Sequence, residues 1–494
     1  MASPDPTPHA LTETSSLLLP PSDKHSNQHD MNYSACESAL KTPEEPPTTW
    51  RYEARILATS SQKLILTFLL QYSLNIASII SVGHLGKTEL GAASLASVTA
   101  NITGYALYSG LACSLDTLCP QAFGSGKKKL VGLQCQRMVL FLWLVTIPIA
   151  VVWFNAGAIL SKIIPDQEVA VLAGQYLRVL IPGIPAMAVF ESGKRYVQAQ
   201  GLFTATLCVL LVCAPTNALL NWLFVWKLQW GFLGSPTAIL VVLWLQPTLL
   251  WLYIALISGS ECWGGFSSLA FRNWTPMIRL AIPSLVMVEA ELFGFEILTL
   301  LSSYFSTAHL ATQSVITTTA LLAWVIPFAI SIAGGTRIAT LIGAGQPQTA
   351  KLVSAVSLTS AGVIGTVSAT LIALLRNHLP RLFTTDPEVI ALASHILPII
   401  AIYQIFDSLV ASCHGILRGL GRQKIGGYVV LFSWYVIGLP VAVGCGFGAG
   451  WELLGLWSGV TLALFVSCSI EGVVIWKTDW MKMVEQAVKR NERE

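Results

Sequence analysis

Twelve apolar stretches of membrane-spanning length follow one another along this chain, and they constrain its fold more than any other feature. Lipid offers the backbone no hydrogen-bond partner, so a spanning segment must be a helix of roughly 20 residues or a strand of a closed barrel. The stretches do not alternate polar with apolar residues, which excludes a barrel. The sequence therefore predicts an all-α membrane protein with transmembrane helices near residues 62–82, 94–116, 138–158, 169–190, 203–225, 234–258, 280–303, 310–333, 352–375, 389–413, 427–447 and 453–476.

Composition agrees with this class. Charged residues make up 11% of the chain and hydrophobic residues 54%, whereas soluble domains carry about 25% charged residues. The net charge of +3 is too small to indicate a nucleic acid partner. The cysteines follow neither metal-binding nor disulfide spacing, and several lie inside apolar stretches, where thiols behave as small hydrophobes. No metal and no cofactor is expected.

The stretches divide the chain into two lobes between polar ends. Residues 1–55, rich in Pro and Ser, are expected to form a disordered cytoplasmic tail because they cannot bury enough apolar surface to fold. The first six spans predict an N-lobe at 56–258 and the last six a C-lobe at 280–476. A cytoplasmic linker at 259–279 joins the lobes, and a cytoplasmic tail at 477–494 ends the chain.

The distribution of Lys and Arg predicts the orientation in the membrane. With a cytoplasmic N-terminus, the even-numbered loops face the cytoplasm and hold most of the basic residues, including Lys127–Lys129, Lys194, Arg195 and Arg418. The odd-numbered loops hold only Lys87, Lys162, Lys227, Arg376 and Arg381. Since basic residues accumulate in cytoplasmic loops, both termini are predicted to be cytoplasmic.

An internal repeat relates the two halves. Residues 166–170 (DQEVA) align with residues 386–390 (DPEVI), and three further sites align at nearly the same interval: 90–94 with 310–314, 200–201 with 420–421, and 123–126 with 342–345. Each half holds six spans, and an even number keeps both copies in one orientation. The repeat therefore predicts a pseudo-two-fold axis along the membrane normal and a substrate path that alternates its access by rocking of the lobes.

Acidic residues inside the spans are the strongest functional signal, because an ionisable group at membrane depth is costly. The seventh span carries Glu289, Glu291 and Glu296, and the tenth carries Asp407. No Lys or Arg lies within these spans to pair with them. Burial disfavours the charged form of a carboxyl group, so such acids can exchange protons and also attract cations. They are the candidate substrate and proton-coupling residues.

Helix geometry separates the three glutamates. Glu289 and Glu296 are seven residues apart and share a helix face, whereas Glu291 points roughly 140° away from Glu296. Which of them dominates is left open. His414, two turns after Asp407, is expected to be structural. Further side chains that are candidates to line a cleft are Gln71, Tyr72, Asn75, Gln313, Tyr403 and Gln404.

Several segments resemble the multidrug and toxic-compound extrusion (MATE) transporters, in particular their eukaryotic branch, fungal members included. The similarity covers roughly residues 60–476, and the motifs occur in the order and spacing of that family. They are GHLG at 83–86, CPQAFGSGK at 119–127, RYVQAQG at 195–201, PTNALLNW at 215–222, the acidic seventh span, TRIATLIGAG at 336–345 and LRGLGRQKIG at 417–426.

The resemblance implies two six-helix lobes around a V-shaped cleft and an antiporter that exchanges organic cations or other small amphipathic compounds for protons. It also implies coupling and binding roles for Glu291, Glu296 and Asp407. Glu289 has no counterpart in the family pattern. A glutamate that animal members carry on span eight falls near Thr318 here, so the animal drug spectrum is not carried over.

Three alternatives remain open at this stage. Sodium could replace the proton as the coupling ion. A flippase of the same superfamily, for lipid-linked or polar metabolites, would favour cationic cleft residues, which the spans lack. A membrane enzyme would need a catalytic loop, and the longest loop (259–279) holds no acid–His or metal constellation, so no enzymatic activity is expected.

The N-terminal tail contains one candidate sorting signal. Glu13, Leu17 and Leu18 fit the acidic dileucine pattern that a sorting adaptor binds through an apolar pocket. A functional signal would direct the protein to a vacuole- or lysosome-like membrane, and otherwise the plasma membrane is expected. The sequence leaves open both the physiological substrate and the oligomeric state.

Overall fold

The computed structural model describes residues 48–164 and 166–492, and every regular element in these ranges is helical. The dileucine pattern lies outside the described residues. Twelve long segments are followed by one short helix. They are α1 (Trp50–Gly83), α2 (Lys87–Ala100, Asn101–Tyr105, Ala106–Ala112 and Leu115–Gly124), α3 (Lys128–Phe154), α4 (Gln167–Ala199), α5 (Phe203–Lys227), α6 (Gly231–Leu256), α7 (Thr275–Ser303), α8 (Thr307–Gly343), α9 (Pro347–Leu374), α10 (Pro387–Leu420), α11 (Gln423–Gly448), α12 (Glu452–Trp476) and α13 (Trp480–Glu492).

The predicted all-α membrane fold is confirmed. Within the described ranges, ten helices are long and apolar enough to cross a membrane. The other two segments are α2, which is interrupted by a π-helical turn at Asn101–Tyr105 and a bend at Cys113–Ser114, and α7, which carries the three glutamates. The three glutamates make α7 less apolar, although its helix is continuous over 29 residues.

Several helices extend beyond the stretches expected from hydropathy. Residues 50–55, assigned to the tail from the sequence, form the beginning of α1, where Thr49 caps the helix. Lys194 and Arg195, assigned to a loop, lie in α4 and are buried. Both cations pair with Glu191 one turn earlier, with Lys194 Nζ at 2.5 Å from its Oε1. Because pairing offsets the cost of burying charge, the helix continues through a charged segment that hydropathy reads as a loop.

Helix packing repeats between the halves, as the pseudo-two-fold axis requires. Within the N-lobe α1 packs on α5 and α2 on α4, and within the C-lobe α7 packs on α11 and α8 on α10. Across the lobes, α1 contacts α8 and α7 contacts α2. Each contact in one half therefore has its counterpart six helices later. The lobes meet along the four helices nearest the axis.

Two related glycines form the contact on the axis. Gly124 at the end of α2 lies against the backbone of Thr340, and Gly343 at the end of α8 lies against the backbone of Gln121. A Cβ atom at either glycine would overlap the facing carbonyl group. The close approach of the two helices therefore requires glycine at both positions.

Polar groups reinforce the contact between the lobes at this end. Arg337 of α8 binds Glu53 of α1 through two hydrogen bonds of 3.1 and 2.9 Å. The Thr117 hydroxyl of α2 donates to the carbonyl of Arg418 on α10 at 2.5 Å, and the Gln121 amide donates to the carbonyl of Gly419 at 3.0 Å. The two lobes are thus joined where α2, α8 and α10 end.

The short helix α13 also spans both lobes. Trp480, Met483 and Val484 are buried in a cluster with C-lobe side chains that include Leu341 and Leu420. From its other end, Arg490 donates to the Gln121 side chain of α2 at 2.8 Å. The C-terminal segment, predicted to be a tail, therefore includes a helix that bridges the lobes at their joined end.

Candidate functional site

The helix α10 brings the strongest candidate, Asp407, into the C-lobe interior. Asp386 caps the beginning of this helix by accepting from the backbone N–H of Glu388 at 2.9 Å. The helix then packs against α8, α9 and α12, and its middle is buried on several sides. Asp407 is 8% exposed as a result. A carboxyl group in this position has lost most of its water.

Few protein groups compensate Asp407 for that loss. The Tyr403 hydroxyl, one turn earlier, lies within reach of the carboxyl group, and the Glu291 carboxylate of α7 is close enough to repel it. One carboxyl oxygen, Oδ2, has no hydrogen-bond partner among the described residues. Two neighbouring carboxyl groups in a poorly hydrated interior favour the binding of a proton or of a cation.

Glu291 has a second neighbour, His414. The imidazole Nδ1 lies 3.8 Å from Glu291 Oε1, and Nε2 lies 3.2 Å from an oxygen of Glu471 on α12. His414, which was expected to be structural, stands between two carboxylates from different helices. Glu291 remains partly accessible, whereas Glu471 is fully buried.

The other two glutamates of α7 lie apart from this group. Both oxygens of Glu289 are buried without a partner in the described chain, although the residue as a whole is half-buried. Glu296 is exposed. Neither acts electrostatically on Asp407, whose charged neighbours are Glu291 and His414. The structure therefore brings Glu291 together with Asp407 and separates both from Glu289 and Glu296.

The remaining C-lobe candidates, Gln313, Tyr403 and Gln404, are buried on α8 and α10. The Trp457 indole donates to Gln313 Oε1 at 2.8 Å, and its ring meets the Tyr403 ring edge-on at a centroid distance of 5.3 Å. Gln404 is fully buried, and its Nε2 lies 3.4 Å from the hydroxyl of Ser408 on the same helix. Gln313 and Tyr403 thus orient the site, whereas Gln404 packs inside the lobe.

The N-lobe candidates lie on α1. Gln71 and Tyr72 are half-buried and Asn75 is exposed. Their helix packs against α8 across the lobe interface and against α5 within its own lobe. These side chains are available for contact with a solute, and they contribute no charge.

Sequence reasoning missed one acid of the site. Glu471 lies in the twelfth span, within the run SIEGVV, and it was not among the predicted intramembrane acids. The signal was the same as for Asp407, a single carboxyl group in an apolar stretch. Its link to His414 could not be anticipated, because α10 and α12 are joined by α11 and only the folded lobe brings them together.

Comparison with known proteins gives a consistent result. The model of the MatE family matches residues 64–223 and 283–443. These two ranges repeat with the spacing of the internal repeat, so the family's unit occurs once in each lobe.

Individual relatives span most of the chain. An uncharacterized transporter of Saccharomyces cerevisiae is 42% identical over 90% of this chain and 64% of its own length, so this chain spans about two thirds of that protein. Multidrug and toxin extrusion protein 1 of Xenopus tropicalis is 35% identical over 90% of this chain and 78% of its own. The crystal structure of the eukaryotic MATE transporter AtDTX14 superposes with a TM-score of 0.85 at 32% identity, over 90% of this chain and 99% of its own.

Proposed function

The chain belongs to the MATE family of membrane transporters, and we propose that it exchanges organic cations or other small amphipathic compounds for protons. The observation that carries this proposal is the proximity of the Glu291 and Asp407 carboxyl groups inside the C-lobe, where one oxygen of Asp407 has no hydrogen-bond partner among the described residues. A site of this kind is occupied by either positive species, which is the requirement for exchange.

The exchange follows from charge balance. When both carboxyl groups are ionised, their repulsion is relieved by a bound cation or by a proton. A cation therefore binds more weakly as the sites take up protons, and a proton arriving from the acidic side displaces it. Because the site is buried and poorly hydrated, the difference in cation affinity between the ionised and the protonated carboxyl groups is larger than it would be in water.

Aromatic groups between the lobes support an amphipathic substrate. Phe68 of α1 lies 5.1 Å from Phe328 of α8 between ring centroids, and Trp324 stacks on Phe328 at 4.0 Å. All three residues are half-buried, so part of their surface remains accessible. Aromatic faces attract organic cations and apolar solutes alike.

The contact between the lobes indicates that in this state the cleft is closed on one side of the membrane. The lobes are joined where α2, α8 and α10 end, at the side that the Lys and Arg distribution assigns to the cytoplasm. A state closed on that side delivers its solute to the opposite side. Separation of the Gly124 and Gly343 contact would open the cytoplasmic side and complete the cycle.

The membrane in which the protein acts depends on whether the N-terminal dileucine pattern is a working sorting signal. If Glu13, Leu17 and Leu18 bind a sorting adaptor, the protein loads solutes into an acidic vacuole- or lysosome-like lumen, and otherwise it exports them at the plasma membrane. Microscopy of a tagged protein with Leu17→Ala and Leu18→Ala tests this. An unchanged distribution between the two membranes would remove the pattern from the account.

Purified protein in proteoliposomes tests the proposed function. A pH gradient with an acidic lumen is expected to drive uptake of a model organic cation, such as tetraethylammonium, because protons leave as the cation enters. A sodium gradient at equal pH is not expected to drive it. Uptake driven by sodium alone would replace the proton with sodium as the coupling ion. Transport of anionic or neutral polar solutes with no cation transport would favour the flippase alternative.

A further inference from the structure

Glu471 is fully buried, so a solute cannot reach its carboxyl group, in contrast to the partly accessible Glu291. Glu471 lies on α12, which packs mainly against α10 and α11, and its exposed fraction is 0%. Neither of its carboxyl oxygens meets hydrogen-bond geometry with any described residue. Its only ion-pair partner in the described chain is His414, at 3.2 Å.

Burial of such a group destabilises the folded protein. Burial of a carboxylate without hydrogen-bond donors is unfavourable in general, and glutamine would fill the same volume without the charge. The lobe therefore retains a carboxyl group that packing alone does not need. An intramembrane acid with these properties indicates a functional role.

The geometry of His414 shows what the charge acts on. Its Nε2 faces Glu471 and its Nδ1 faces Glu291 at 3.8 Å. When an imidazole in this position carries a proton on both nitrogens, the two carboxylates attract it from both sides. The other charged groups that act on these three side chains are Asp407 and Arg418 of the same helix as His414. The thiols of Cys413 and Cys468 also lie beside Glu471.

We propose that Glu471 is a positioning residue, which holds a positively charged His414 against Glu291 and thereby sets the pH at which the Glu291–Asp407 pair exchanges its proton for a cation. This inference rests on the proposed antiport and adds a control on its pH range. The imidazolium favours the ionised form of Glu291. Glu471, which lies on the Nε2 side of the imidazole opposite Glu291, favours its charged form and fixes its orientation.

The direction of the effect follows from the charges. Glu471→Gln removes the charge that stabilises the imidazolium, so His414 becomes neutral. Glu291 then loses its positive neighbour and keeps its proton to a higher pH. The pH midpoint of cation binding is therefore expected to rise, by roughly one pH unit for a charge lost at this distance.

Cation binding to purified protein, titrated with tetraethylammonium between pH 5 and 9, measures that midpoint. A matched control is Glu452→Gln, because Glu452 lies on the same helix, is exposed and pairs with a different histidine, His309, at 2.9 Å. The control is expected to keep the wild-type midpoint. A role of Glu471 in folding alone would lower the yield and leave the midpoint unchanged.

A second variant keeps the proposal testable if Glu471→Gln does not fold. His414→Gln removes the imidazolium directly and is expected to raise the midpoint in the same direction. Combining it with Glu471→Gln should add no further shift, because one residue acts through the other. A wild-type midpoint in either single variant, or additive shifts in the double variant, would overturn the proposal. Binding by the wild type that does not depend on pH would instead contradict the proposed proton coupling.

Discussion

Carboxyl groups in the C-lobe fall into two environments that residue type alone does not distinguish. Glu291 and Asp407 lie together with His414 and Glu471, whereas Glu289 and Glu296 lie apart from them. Helix periodicity already predicted that Glu291 points away from the face of Glu289 and Glu296. It could not predict which face meets Asp407, since that depends on the way α7 and α10 pack in the lobe.

Asp407→Asn is expected to abolish uptake driven by a pH gradient while leaving expression intact. Asparagine keeps the size of the side chain but cannot exchange a proton or neutralise a cation. Asp386→Asn on the same helix is the control, because asparagine also serves as a helix N-cap and Asp386 has only that role here. Normal uptake by the Asp407 variant would remove this residue from the mechanism.

Among the glutamates of α7, Glu291→Gln is expected to damage transport most. Loss of a charged hydrogen-bonding partner costs about 1.5–3 kcal/mol, which corresponds to roughly 10–100-fold in cation affinity. Glu289→Gln and Glu296→Gln, made on the same helix, are expected to have smaller effects. Initial uptake rates over a range of substrate concentrations compare the three. Equal and small effects would contradict a cation site on α7.

At the scale of whole helices, the repeat was visible in the sequence because it marks helix ends. Asp166 caps α4 and Asp386 caps α10, by accepting from the backbone N–H groups that follow them. Gly201 and Gly421 end the same two helices with φ values of 74° and 73°, a left-handed conformation that glycine adopts without strain. Backbone geometry at the helix ends requires these residue types in both halves of the chain. The apolar residues between them differ from one half to the other.

The contact between α2 and α8 gives a prediction at this scale. Gly124→Ala and Gly343→Ala are each expected to prevent full closure of the joined end, because the new methyl group would meet a backbone carbonyl of the facing helix. Gly362→Ala, at a position with only ordinary contact distances, is the control. Reduced transport and increased labelling of this end by thiol reagents are the expected results. Wild-type behaviour of both variants would show that closure does not need this approach.

For the molecule as a whole, the sequence predicted the fold class, the number of spans and the family, and it did not predict how the lobes are held together. The contacts from Glu53 to Arg337 and from α13 to α2 join residues that are far apart in the chain. Hydropathy and charge counts contain no information on such pairs. For the same reason the buried charges of α4 were mistaken for a loop.

Orientation in the membrane is the prediction that belongs to this scale. Single cysteines at the exposed positions Lys129 and Arg381, in a background with the ten native cysteines replaced, are expected to react from opposite sides. The positive-inside rule assigns Lys129 to the cytoplasm. An impermeant thiol reagent applied to intact cells or vesicles measures the accessibility of each site. Labelling of Lys129→Cys from the non-cytoplasmic side would reverse the model of access.

The central claim is that a cation and a proton compete for the carboxyl groups of Glu291 and Asp407. Proton release on cation binding measures this competition directly. Purified protein in weakly buffered solution is mixed with tetraethylammonium near the midpoint pH, and a pH indicator records the protons released. The account predicts release by the wild type, and none by Asp407→Asn combined with Glu291→Gln. Saturable cation binding by the wild type without proton release would contradict it.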